Sequence, residues 1–239
     1  YRSAYSAEET MAVTKVLSVG GSIVVPETPD TDFLKKFVAM TSEWLSKDSS
    51  RRLILVVGGG GPARIYQGAY REIASAADNS EADWIGIMAT RLNAQLLKAS
   101  FGALCPNPVV YNPTEDVEFK GQVLVAAGWK PGFSTDTDAV YLAEKFNADT
   151  VVNLSNIEKV YTDDPRKNPD ATPIDNITWT DFRKMVGDEW VPGKNCPFDP
   201  IASKKAQELK LKVICAGGKN IPNIQSILND SDYIGTTIC

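Results

Sequence analysis

Gly20-Gly21-Ser22 and Gly58-Gly59-Gly60-Gly61 are the residues of this 239-residue chain whose type and spacing point first to chemistry. Backbone N–H groups with no Cβ beside them can approach anionic oxygens closely, and a strand–glycine–helix turn aims several of them at one point. Two such turns predict two phosphate-bearing ligands. Pro62-Ala63-Arg64 follow the second turn. Proline at a helix start gives up no hydrogen bond. Arg64 in the first turn, an unfavourable place for a cation, is explained by a bound phosphate; a flexible turn with a solvated arginine is the alternative. Neither turn is a Walker A loop or a G-x-G-x-x-G fingerprint.

A third segment runs from Gly128 through Trp129, Lys130, Pro131, Gly132 and Phe133 to Ser134 and Thr135, then Asp136. Two rigid turns leading into hydroxyls at a helix start suit a phosphate or a pyrimidine edge. Ordinary helix capping is the alternative for any one of these residues. Asp136 is placed to orient neighbouring groups. Further on, Ser155-Asn156 and Tyr161 to Asp164 follow another apolar run. Tyr161 offers a flat ring for a base and Asp164 an acceptor for ribose hydroxyls, although either suits any polar loop. Asp199, before Pro200, is an N-cap or part of a catalytic charge arrangement.

The chain contains no histidine. That excludes Ser-His-Asp and Cys-His catalysis and most zinc sites. Phosphoryl transfer to an oxygen that is already ionised stays open, because positioning and charge neutralisation carry it. Cys105, Cys196, Cys215 and Cys239 form no C-x-x-C pair and read as reduced structural thiols in a cytoplasmic protein. A net charge of −5 gives no general attraction for nucleic acid or an anionic membrane. No apolar run reaches the roughly 20 residues that span a bilayer. The expected partners are therefore small molecules, with no nucleic acid and no membrane. Trp129, Trp179 and Trp190 border loops without interleaved basic residues and read as packing.

The elements that must position these groups follow from apolar periodicity. Val16–Val19 and Leu53–Val57 read as strands buried on both faces. Further strands are expected at Pro108–Tyr111, Val123–Ala127, Thr150–Leu154 and Lys212–Ala216. Helices are expected at Asp32–Ser46, Pro62–Asn79, Trp84–Phe101, Thr137–Phe146, Trp179–Gly187, Pro200–Leu209 and Pro222–Leu228. Ile85, Met88, Leu92, Leu96 and Ala99 mark one helix face, with Asp83 its expected N-cap. Alternating strands and helices predict a largely parallel sheet covered on both sides, with ligands at the strands' carboxyl ends. No linker divides the chain, so one domain over 11–239 is expected. Residues 1–10 are polar and aperiodic and are expected outside the fold, with Met11 the natural start.

Taken in order, these segments resemble the amino acid kinase superfamily, and within it the archaeal-type uridylate (UMP) kinases. The likeness spans nearly all of Lys15 to Ile238. It rests on Gly20 to Glu27, the four-glycine loop through Arg64, Ile85 to Ala94, Pro131 to Asp136, Val160 to Pro165, Asp199-Pro200 and Gly235 to Ile238. The resemblance implies an α/β fold, an open αβα sandwich with an N-terminal acceptor half and a C-terminal ATP half. It implies transfer of the γ-phosphoryl of ATP to UMP, giving UDP and ADP, with Mg2+ carried by ATP rather than by a protein metal site. By position it assigns Gly20, Gly21, Ser22, Gly59 and Arg64 to the ATP phosphates, and Ser155, Asn156, Tyr161 and Asp164 to its nucleoside. Gly58 and Asp83 fall to UMP, Asp83 through the ribose. Gly128, Trp129, Lys130, Pro131, Gly132, Phe133, Ser134 and Thr135 fall to the UMP phosphate and base. Asp136 and Asp199 are the organising carboxylates and Arg64 a catalytic cation. A homo-oligomer, a hexamer or dimer, is implied.

Ser18 stands where many superfamily members carry lysine, so the needed cation is sought among Arg64, Lys130 and Lys159. Lys159 replaces a usual glycine, and Trp129 stands where related kinases have a small hydroxyl residue. The same superfamily includes kinases of small carboxylates, carbamate or isopentenyl phosphate, the last reliant on a histidine. It also includes nucleotide-binding storage proteins that catalyse nothing.

Overall fold

The computed structural model describes residues 12–189 and 196–239. The segment 1–10, Met11, Trp190 and Asn195 lie outside them. The chain opens with β1 (Val13–Val19), a one-turn helix α1 (Gly21–Val24), α2 (Thr31–Ser46) and β2 (Arg51–Val57). It continues with α3 (Gly60–Ile73), α4 (Asn79–Phe101), β3 (Val123–Ala126), α5 (Thr135–Lys145) and β4 (Thr150–Ser155). Three two-residue strands come next, β5 (Val160–Tyr161), β6 (Pro173–Ile174) and β7 (Asn176–Ile177), followed by α6 (Trp179–Val186). The chain then forms α7 (Pro200–Glu208), β8 (Lys212–Gly217), α8 (Ile221–Leu228) and β9 (Thr236–Ile238).

Seven strands form one sheet in the order β3-β2-β1-β4-β8-β9-β7, and β5 pairs with β6 separately. The five strands from β3 to β8 are mutually parallel, while β9 runs antiparallel to β8. The sheet is therefore largely parallel, as the alternation of elements predicted. After β1 the chain adds β2 and β3 on one side and then returns to place β4 on the other. That reversal puts a crevice beyond the carboxyl ends of β1 and β4, where ligands of open α/β sheets collect.

The strands are buried on both faces, and alternate residues serve opposite layers. Leu17, Val19, Leu53, Leu55 and Val57 pack with Phe33, Phe37 and Trp44 of α2, Leu97 of α4 and Ile224 of α8. Val16, Ile54, Val56 and Leu124 pack with Val140 and Leu142 of α5, Phe182 of α6 and Ala202 of α7. Each layer excludes water from its sheet face, and this apolar burial is the main force fixing the strand order. Among the described residues no helix is long and apolar enough to cross a membrane.

Two local expectations are corrected. The helix read as Pro62–Asn79 ends at Ile73. Asp78 then caps α4, its carboxylate accepting the Glu81 N–H at 3.0 Å, so Asp83 lies a turn inside the helix instead of at its N-cap. Asp78 competes for a backbone N–H three residues on, which favours a break over continued helix. The strand read at Pro108–Tyr111 reduces to a single bridge from Val110 to Ala126; proline has no N–H to extend a ladder.

Candidate active site

Both glycine turns continue the sheet's hydrogen bonding. Gly20 N–H donates to Leu154 O at 2.8 Å and Gly58 N–H to Val19 O at 3.0 Å. The turns touch backbone to backbone. A Cβ built on Gly21 would lie 2.0 Å from Gly60 N and 2.6 Å from Gly58 C, and one on Gly58 would lie 2.5 Å from Gly21 N. No other residue type fits that contact. Gly60 adopts φ +61°, the left-handed region. Asn93 of α4 locks the second turn, its Nδ2 donating to Gly58 O and Gly59 O at 2.9 and 3.0 Å. Arg64 reaches from α3 across to the first turn, Nη1 donating to Ser22 Oγ at 2.9 Å and Nη2 to Pro26 O at 3.2 Å. One guanidinium therefore bridges the two turns.

These turns open on a cleft of about 430 Å³, within the range of about 300–1,000 Å³ typical of small-molecule sites. Gly58, Gly59, Arg64, Asp83, Gly128, Lys130, Pro131, Gly132, Phe133, Ser134, Thr135 and Asp199 line it. Residues up to 141 positions apart in sequence, Gly58 and Asp199, are thus drawn together at the carboxyl edge of the sheet. The same wall contains Gln67, Gly86, Ile87, Thr90 and Ile201, which the sequence reading missed. The helix period carried that signal: Asp83, Ile87 and Thr90 share one face of α4, and Arg64 and Gln67 one face of α3.

Gly20, Gly21, Ser22 and Asp136 border the cleft without lining it. Asp136 lies beneath, in the first turn of α5. Its Oδ1 accepts from Ser18 Oγ at 2.9 Å and from Asn153 Nδ2 at 2.8 Å, and its Oδ2 from Asp199 N–H at 3.3 Å. Burial pushes the Asp136 carboxyl up to about 6 against the pull of the Ser18 hydroxyl, and the Asp199 charge adds to the rise. Asp199 is the N-cap of α7, its Oδ1 accepting from Ala202 N–H at 2.8 Å and Thr137 Oγ1 at 3.4 Å. The capping reading of Asp199 holds, and the residue also lines the cleft.

Ser155, Asn156, Tyr161 and Asp164 are not in the cleft wall; they follow the end of β4 on its far side from β2. Asp164 there holds Arg166 through two contacts of 3.0 Å, and that guanidinium keeps its carboxyl below the usual range. Trp129 is also absent from the wall. Its ring packs on Phe133 at 4.6 Å and Tyr141 at 6.4 Å, with Lys130 Nζ 4.1 Å above it. Of the three candidate cations, Arg64 and Lys130 line the cleft, whereas Lys159 is ion-paired with Asp175.

The family pattern described as the amino acid kinase family matches residues 13–217. The chain belongs to the amino acid kinase family. The matched span of this amino acid kinase runs from β1 to β8 and contains both glycine turns, the 128–135 loop and Asp199. The chain is 34% identical to the uridylate kinase of Methanospirillum hungatei over 228 residues, 94% of each protein. It is likewise 34% identical to that of Thermococcus kodakarensis, over 93% of this chain and 98% of the relative. The crystal structure of uridylate kinase from Archaeoglobus fulgidus matches with a TM-score of 0.79 and 30% identity, covering 94% of this chain and 99% of that one. UMP kinase from Bacillus anthracis, 18% identical with a TM-score of 0.74, shares the fold.

Proposed function

We propose that this amino acid kinase transfers the γ-phosphoryl group of ATP to UMP, forming UDP and ADP. One observation carries the reading: two glycine turns in backbone contact at adjacent strand ends, bridged by Arg64 and opening on a cleft of nucleotide size. Such a pair can hold a donor and an acceptor phosphate against each other. A UMP phosphate oxygen attacks the γ-phosphorus, and the bond from that phosphorus to the β–γ bridging oxygen breaks. The nucleophile is anionic near neutral pH, so the absence of histidine removes nothing the reaction needs.

In this reading Gly21, Ser22 and Gly59 present N–H groups to the ATP phosphates, Gly20 anchors their turn through its N–H to Leu154 O, and Ser155, Asn156, Tyr161 and Asp164 take its nucleoside. Gly58, Asp83 and the Gly128–Thr135 segment take UMP, with Trp129 contributing through its backbone. Arg64 neutralises charge as it develops in transfer, the term that dominates such catalysis. Hard carboxylate oxygens suit Mg2+, which commonly binds through one or two carboxylates plus substrate phosphates. Asp199, which lines the cleft, is the carboxylate that would face such a metal, with Asp136 holding the Asp199 backbone from beneath, and among the described residues no three acidic or thiol groups converge to cage a metal without a nucleotide. The metal, when bound, would neutralise phosphate charge. The chain acts as one domain in a reducing, cytoplasmic setting, which four cysteines far apart in sequence and without a C-x-x-C pair suit. It acts as a homo-oligomer.

The test is an ADP-release assay with Mg-ATP against UMP, CMP, dUMP and small carboxylic acids. Turnover with UMP well above the others is the expected result. Turnover with an acid alone, or ATP binding without turnover of any acceptor, overturns the proposal.

A further inference from the structure

The Gly128–Trp129 peptide begins the loop that walls the acceptor half of the cleft, and it lies between a guanidinium and a buried carboxyl. On its oxygen side stands Arg91 of α4. The guanidinium donates through Nε to Gly128 O at 3.4 Å and through Nη2 to Trp129 O at 3.0 Å. Tyr111 at 4.2 Å and Trp84 at 5.8 Å hold it in place. On its N–H side stands Asp138 of α5, 1% exposed. Both Asp138 oxygens are buried without a partner at full hydrogen-bond geometry, and the Trp129 N–H lies near enough to favour the charged carboxylate against burial. Thr90 adds a third hold, its Oγ1 accepting the Gly128 N–H at 2.8 Å.

A buried carboxyl with no partner at full hydrogen-bond geometry destabilises a fold and asks for an explanation. Here the explanation is orientation. A peptide unit carries a dipole of about 3.5 D. With a guanidinium at its oxygen and a carboxyl oxygen at its N–H, that dipole has one favourable direction. Flipping the peptide would turn the carbonyl toward Asp138 and the N–H toward Arg91. Gly128, which has no Cβ to resist such a flip, is where the chain needs that restraint. A Cβ there would meet Thr90 Oγ1 at 3.0 Å and Ile87 Cγ1 at 3.3 Å, so the restraint has to come from neighbours.

We propose that Arg91 and Asp138 are positioning residues that fix the Gly128–Trp129 peptide from both sides and thereby set the acceptor wall formed by Lys130 to Thr135. The proposal rests on the UMP kinase reading for its substrate and on geometry for the clamp, and each part has its own readout. Arg91→Gln is expected to raise the KM for UMP about 10-fold or more, the effect of losing a charge-assisted hydrogen bond. The KM for ATP stays within about twofold in the same comparison, since the donor side keeps its contacts. Arg91→Lys recovers part of the loss. Asp138→Val, of similar volume, raises the UMP KM in the same way while the thermal midpoint holds or rises, because a costly buried carboxyl is gone. Amide hydrogen exchange of ligand-free protein is expected to quicken across 128–134 in both variants and to stay unchanged in the α2 layer. Equal increases in both KM values, a lower midpoint in Asp138→Val, or unaltered exchange in 128–134 overturns the clamp. A wild-type protein that leaves UMP unphosphorylated removes the parent reading instead, and the exchange experiment still decides the clamp.

Discussion

At the scale of single residues, two carboxyls two positions apart on α5 meet different fates. Asp136 is met by a hydroxyl, an amide and a backbone N–H, and it holds its neighbours in place. Asp138 is buried without a partner at full hydrogen-bond geometry, and burial, reinforced by the Asp136 charge, pushes it up to about 7. A carboxyl raised in the folded state binds its proton more tightly there than in the unfolded chain. Its contribution to stability is therefore complete below its ordinary value of 3.8 and lost as pH rises through about 7. Asp138→Asn removes that titration. Between pH 5 and pH 8 the stability of the wild type is expected to fall relative to this variant by about 2–3 kcal/mol. Denaturant melts at the two pH values check this, and a difference that does not change with pH refutes it.

At the scale of elements, the strand–turn–helix units were legible because the pattern is local: apolar β-branched runs ending in glycine. Asp136 and Asp199 were legible as caps or site residues from their places beside helix starts. What the sequence did not reveal is which side chains are aimed inward. Gln67, Ile87 and Thr90 enter the wall because α3 and α4 lean over the turns, a tertiary fact. Trp129 was assigned to the acceptor, yet its ring leaves the cleft for Phe133 and Tyr141, an apolar opportunity set by packing alone. The break before α4 was missed because Asp78 and Asp83 are both plausible caps, and hydrogen bonding chose the earlier. The contact between the two turns makes a prediction at this scale. Gly21→Ala drives a methyl group into the backbone of Gly58 to Gly60, and it is expected to cost several kcal/mol and abolish ATP binding. Gly68→Ala, inside α3 with open space around its Cβ position, is expected to add about 1 kcal/mol. Thermal melts with ATP titration separate the two; a fully stable Gly21→Ala protein that binds ATP would falsify the contact.

At the scale of the whole molecule, the outer side of the α3–α4 pair is unlike the rest of the surface. Ile65, Tyr66, Met88 and Leu92 stand more than half exposed there, with Ile73, Trp84 and Leu96 beside them. Pro62, Tyr66, Trp84, Met88 and Leu92 line a groove of about 370 Å³. Isolated apolar residues on a surface are ordinary, but a contiguous group of this kind marks an interface. A second copy of the chain suits it, because one patch met by its two-fold mate closes without leaving a further apolar surface open. The opposite face of the same α4 carries Asp83, Ile87 and Thr90 into the cleft, so a copy covering the outer face would also steady that wall. Leu92→Glu places a charge at the patch without touching the cleft. It is expected to give a smaller species than the wild type by light scattering, to lower the thermal midpoint at low protein concentration, and to weaken UMP binding more than ATP binding. A monomeric wild type, or a Leu92→Glu protein of unchanged mass, removes this face from the assembly.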